Sequence, residues 1–141
     1  MSTYGFKPDL IFTVGPSLNA TTIAINQDWF VVPSGQATKY RLKSFETSQS
    51  VASSSGTLKL RVITDTSAPG AAASSTVVEL VNASGSNTIS TASTANTRVA
   101  ATPVADVFVY PGNRIATLSG GTQTNLVGFV GVGVLEPMDQ I

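Results

Sequence analysis

Nucleophilic catalysis, paired-acid hydrolysis and metal binding each need particular side chains, and this 141-residue sequence has few of them. It contains no histidine and no cysteine. A nucleophilic serine would need a lysine as its base. The four lysines are Lys7, Lys39, Lys43 and Lys59; no S-x-x-K spacing occurs, and three of the four fall on strand faces expected to point outward. The carboxylates are Asp9, Asp28, Glu46, Asp65, Glu79, Asp106, Glu136 and Asp139. They are scattered, and nothing in their spacing brings two together across a glycosidic bond. No D-x-D-x-D-G calcium loop is present. Ser119-Gly120-Gly121-Thr122 lacks both the lysine and the following helix of a phosphate-binding loop. These absences predict a protein that is not an enzyme, has no catalytic, metal or cofactor residues, and takes no small-molecule substrate.

The polar chemistry that remains is basic. Five of the eight Lys and Arg residues, namely Lys39, Arg41, Lys43, Lys59 and Arg61, lie in two neighbouring predicted strands. Paired as a hairpin, those strands would carry a basic stripe on one sheet face. Such a stripe either protects an edge from aggregation or docks an acidic partner surface. A single-stranded RNA would need bases stacked on Tyr40 and Phe45, but alternation sets Tyr40 opposite Arg41. The formal net charge of zero also argues against a general nucleic-acid binder. A second candidate contact is the segment Met1 to Pro8, whose Tyr4 and Phe6 need somewhere to bury. They would fold back on their own domain or lie across a neighbouring subunit.

The elements that must position these residues read as strands. Asp9 to Gly15 opens the β pattern and stops at Gly15-Pro16. Ala20 to Asn26 and Asp28 to Val32 follow, the latter closed by Pro33-Ser34-Gly35. Ala37 to Glu46 sets Tyr40 and Leu42 against Lys39, Arg41 and Lys43; Thr57 to Thr64 sets Leu58, Leu60 and Val62 against Lys59 and Arg61. This period of two marks strands with one dry face and one wet face. Thr76 to Asn82, a weak stretch near Thr88 to Ser90, Thr97 to Ala101, Ala105 to Tyr110, Arg114 to Ser119 and Asn125 to Leu135 complete the set. Pro111-Gly112-Asn113 is expected to turn a hairpin between two of them.

The last strand carries Gly128, Gly131 and Gly133 within a valine-rich run. Glycine there marks a close neighbour. That neighbour is either a bulky side chain such as Trp29 or Phe108, or backbone across a subunit interface. No stretch has a helical period. The expected fold is all-β: a single-domain antiparallel β-sandwich, jelly roll or small barrel over residues 9–141, with an N-terminal arm over 1–8. The Ser, Thr, Ala, Gly and Asn segments Thr47 to Gly56, Ser67 to Ser75 and Ala83 to Asn96 fall between strands as loops, either mobile or ordered against a partner.

Charged residues make up 11% of the chain, while Ser and Thr supply about a quarter. A surface so poor in ions favours association, although hydroxyls could also solubilise a small neutral domain. The N-terminus lacks the apolar core of a secretory signal, and Leu126 to Leu135, the longest apolar stretch, is too short for a membrane-spanning helix. A soluble product made in the cytoplasm, with no membrane partner, is expected.

In size, in its lack of Cys and His, in its Ser/Thr/Ala/Gly loops, its aromatic arm and its final Gly-Val strand, the chain resembles the capsid decoration, or cement, proteins of tailed bacteriophages. The resemblance implies a small homo-oligomeric β domain, commonly a trimer, made in the host cytoplasm. It would sit on the outer surface of the virion head, bind the major capsid protein and stabilise the shell. Tyr4, Phe6, Lys39, Arg41, Lys43, Lys59 and Arg61 are then the candidate contacts. A main coat protein, a tail-tube or fibre protein, and a carbohydrate-binding module stacking sugars on Trp29, Tyr40 and Tyr110 are the alternatives.

Overall fold

The computed structural model describes residues 7–15, 27–64, 77–82, 87–92, 95–120 and 127–138. They form two antiparallel sheets packed face to face, with no helix. Ten strands are described: β1 (Leu10–Val14), β2 (Gln27–Val31), β3 (Tyr40–Ser48), β4 (Thr57–Ile63), β5 (Val77–Glu79), β6 (Ile89–Ser90), β7 (Val99–Ala101), β8 (Phe108–Val109), β9 (Arg114–Gly120) and β10 (Val130–Pro137). The expected strand over Ala20 to Asn26 and the loop Ser67 to Ser75 lie outside the described residues.

Sheet A runs β1-β10-β3-β7, with β8 also paired to β3; sheet B runs β2-β9-β4-β5, with β6 also paired to β4. β7 and β8 meet opposite halves of β3, and β5 and β6 meet opposite halves of β4. Each pair therefore makes one interrupted edge row, and the sandwich has four rows in each layer. Counted along the chain, the first row pairs with the last, the second with the seventh, the third with the sixth and the fourth with the fifth. The two halves of the chain lie together as one long hairpin. Rolling that hairpin up sets β10 against β3 and β9 against β4. This connectivity is the jelly roll, one of the three architectures expected.

The two interrupted rows meet where they break. The Val104 N–H donates to Leu80 O at 2.9 Å and the Asn82 N–H to Thr102 O at 2.7 Å. Asn82 sits at φ +52 and accepts the Thr102 N–H on Oδ1 at 3.0 Å. The sheets are thus stitched together along one side by backbone that has left both ladders.

Alternation builds the core. Phe12, Val14, Tyr40, Leu42, Phe45 and Leu135 point inward from sheet A, and Leu58, Leu60, Val62 and Ile115 from sheet B; all are buried. The Phe12 ring stacks on Phe30 of the opposite sheet at 5.8 Å and on Phe45 of its own at 6.1 Å. Strict alternation would turn Phe45 outward with Lys43. A β-bulge prevents this: Val134 pairs with Ser44 and Leu135 with Leu42, which leaves Lys43 without a cross-strand partner in the β10 ladder. One extra residue reverses the phase, so Phe45 and Thr47 are buried while Arg41 and Glu46 face away.

Two expectations are corrected. Pro111-Gly112-Asn113 does form a turn, closed by the Asn113 N–H on Tyr110 O at 3.0 Å and with Gly112 at φ +90. It links β8 of sheet A to β9 of sheet B, so it is a corner between layers and not a hairpin. The neighbours of the glycines in β10 are not Trp29 and Phe108. A Cβ at Gly131 would lie 3.0 Å from the Phe45 ring, and one at Gly133 would overlap the Phe12 ring.

The hydroxyl-rich segments are partly structural. Gln49, Ser53 and Thr91 are buried. Ser53 Oγ and Thr91 Oγ1 are 2.9 Å apart, and the Ser53 N–H donates to Thr91 O at 3.0 Å. Ser53 and Thr91 thus satisfy each other's polar groups across the two segments, as burial requires.

Candidate interaction face

The five clustered cations are separated by the fold. β3 belongs to sheet A and β4 to sheet B, so the expected hairpin does not exist. Lys39, Arg41 and Lys43 stand on one layer, Lys59 and Arg61 on the other, and no common basic stripe forms. Arg41 Nη2 lies 2.7 Å from Glu136 Oε1, Lys43 Nζ 3.3 Å from Asp9 Oδ2, and Arg61 Nη2 2.6 Å from Glu79 Oε1. Lys39 Nζ sits 4.7 Å above the centre of the Phe108 ring, within the range of a cation–π contact. Four of the five are therefore engaged inside the chain, and an acidic partner would have to compete with bonds already made. Tyr4 and Phe6 lie outside the described residues.

The RNA-stacking reading loses both of its platforms, and the sugar-stacking reading loses Tyr40. Tyr40 and Phe45 are fully buried. Trp29 packs against the core and donates its indole N–H to Thr117 Oγ1 at 2.7 Å. Only Tyr110 of the three proposed sugar platforms is exposed. Among the described residues no group of three or more acidic, His or Cys residues could hold a metal ion, and no helix is long and apolar enough to cross a membrane.

What the fold does assemble is the outer face of sheet A. Gly131, Gly133, Leu135 and Pro137 of β10 point inward and are buried, which turns Val130, Val132, Val134 and Glu136 outward. Register places Val134 between Ile11 and Ser44, and Val132 between Thr13 and Glu46. The result is an apolar strip down the middle of the sheet, with Ile11 68% and Val132 41% exposed. Ion pairs border it: Arg41–Glu136, Lys43–Asp9, and Arg98–Glu46 at 3.4 Å. Val130, Val132, Glu46, Ser48 and Arg98 also line a shallow depression of about 130 Å³. The strip is apolar along its centre and bordered by charges that are paired within the chain.

The signal for this face was in the sequence. Where glycines alternate with valines and the glycines lie under core rings, the valines must be the exposed set. Reading the run as uniformly apolar hides that. Comparison with known proteins adds nothing further: no family model, no curated protein and no solved structure matches the chain.

Proposed function

We propose that the chain is a structural virion protein, a decoration protein that binds the major capsid protein on the outer surface of a phage head and stabilises the shell. The observation that carries this reading is the outward valine strip of sheet A, framed by internally paired charges, on a scaffold with no assembled catalytic group among its described residues. Jelly rolls are common among viral capsid domains. That supports the reading by analogy only, since a fold hosts many functions. Such a face binds through apolar contact, and the symmetry of a shell multiplies a modest affinity per copy. Bound among capsid subunits, the protein acts as a homo-oligomeric clamp.

The test is co-sedimentation of the purified chain with capsids lacking it. Val132→Lys sets a charge in the middle of the strip and should weaken binding by about tenfold or more, the loss of a central apolar contact, while the isolated protein keeps its unfolding midpoint. Unchanged binding by the variant would remove the strip from the interface. The jelly-roll connectivity also favours a second reading, a main coat protein. That reading predicts closed shells when the chain is expressed alone, where a decoration protein remains a small oligomer until capsids are added.

A further inference from the structure

Among the described residues the sandwich has four lateral edges, and three carry a device against pairing with another chain. The β7/β8 row is interrupted, the β5/β6 row is interrupted, and β2 has an irregularity in register between Asp28 and Phe30. Broken rows and bulges are how sheets blunt an edge. The remaining edge, β1, has none. Its five residues, Leu-Ile-Phe-Thr-Val, pair with β10 in unbroken register from Leu10↔Leu135 to Val14↔Gly131. It contains no charged residue, proline or glycine. Among the described residues β10 is its only ladder partner.

We propose that β1 is a pairing edge and that its occupant is β1 of a second copy of this chain, joined antiparallel about a two-fold axis at Phe12. The segment is self-complementary in that register. Leu10 meets Val14 on the inward side, where both already point; Ile11 meets Thr13 on the outward side, where both are exposed. β-branched cross-strand pairs of this type stabilise antiparallel sheets. The chain has no net charge to repel a copy of itself. Pairing would join two four-row sheets into one eight-row sheet and merge the two Ile11–Val134–Val132 strips into a single apolar surface. This two-fold contact replaces the trimer that the resemblance implies, and it does not depend on the virion reading.

The absence of cysteine gives a direct test on the full-length chain. In the proposed register position 11 of one copy faces position 13 of the other, at a separation of about 5 Å between Cα atoms. Two copies of position 11 are about 8 Å apart, beyond disulfide reach. An oxidised mixture of Ile11→Cys and Thr13→Cys should give the mixed disulfide dimer, with each variant alone giving several-fold less. Sedimentation velocity of the native chain should show a monomer–dimer equilibrium. The double variant Ile11→Lys/Thr13→Lys sets lysine against lysine twice and should weaken the dimer by about tenfold, and mixing it with Ile11→Glu/Thr13→Glu should restore association. Circular dichroism checks that the variants fold. A chain that stays monomeric up to millimolar concentration, forms a trimer, or cross-links as readily through position 11 alone would overturn the proposal.

Discussion

Gly133 is the residue on which the packing of sheet A turns. It lies in β10, the strand between β1 and β3, directly beneath the Phe12 ring. That ring is held on its other sides by Phe30 and Phe45. A methyl group at position 133 has no space unless an aromatic stack moves, so Gly133→Ala should destabilise the protein by about 1–3 kcal/mol, measured by urea unfolding. Gly131→Ala meets the edge of Phe45 at 3.0 Å and should cost less. Trimming the ring in Phe12→Leu/Gly133→Ala should recover part of the loss, a coupling that separates overpacking from any intrinsic effect of alanine in a strand. The sequence made the close approach legible, because three glycines in a valine-rich strand have few other uses. It did not identify the neighbour. Phe12 and Phe45 are far from Gly133 along the chain and come beside it only after the hairpin is rolled up.

At the scale of elements, period-two alternation located most of the strands and oriented β4 correctly, with Leu58, Leu60 and Val62 inward. It failed where a strand changes phase. Tyr40 and Leu42 were correctly placed, but a strict pattern carries Phe45 to the wrong face, and only the bulge at Lys43 returns it to the core. Deleting Lys43 would remove the bulge and leave Tyr40, Leu42, Phe45 and Thr47 in unbroken alternation, all inward and opposite the same β10 partners. A circular dichroism spectrum and cooperative unfolding like the parent's are the expected result. Lys43→Ala retains the extra residue and should change stability by no more than about 0.5 kcal/mol. Partnership between strands was the least legible property. Two amphipathic basic strands in succession look like a hairpin, and β3 and β4 have instead been dealt to opposite layers. The turn at Pro111-Gly112-Asn113 misleads for the same reason: local chemistry specifies a change of direction and not the sheet that the next strand joins. The edge pieces β5 to β8 fall within the runs expected at Thr76 to Asn82, Thr88 to Ser90, Thr97 to Ala101 and Ala105 to Tyr110, but each is only two or three residues long.

At the scale of the molecule, alternation and the spacing of turns indicated the fold class, while the wrapping order came from contacts between residues far apart in the chain. Those contacts place the start of β1 beside the end of β10, with Leu10 opposite Leu135. A circular permutant that joins Met138 to Pro8 through a short Gly/Ser linker and opens at the exposed Gly112 should therefore fold to the same sandwich, with a stability within about 2 kcal/mol of the parent. Failure of the permutant to give the parent's spectrum and cooperative unfolding would mean that the corner at residues 110–113 must be covalently closed. The face proposed for partner binding and the edge proposed for self-association share Ile11, so the V132K and I11K/T13K variants together report whether the two contacts are independent.

The position of β10 also governs when this molecule can exist. It is the last of the described strands to be synthesised, yet it fills the middle of sheet A. Until it emerges, β1 and β3 have nothing between them, and Phe12 and Phe45 lie open to whatever else is in the cell. A nascent chain that has completed β1 to β9 still lacks the strand that closes sheet A. Termination before Val130 should yield aggregates or degradation products in place of a shortened but usable protein.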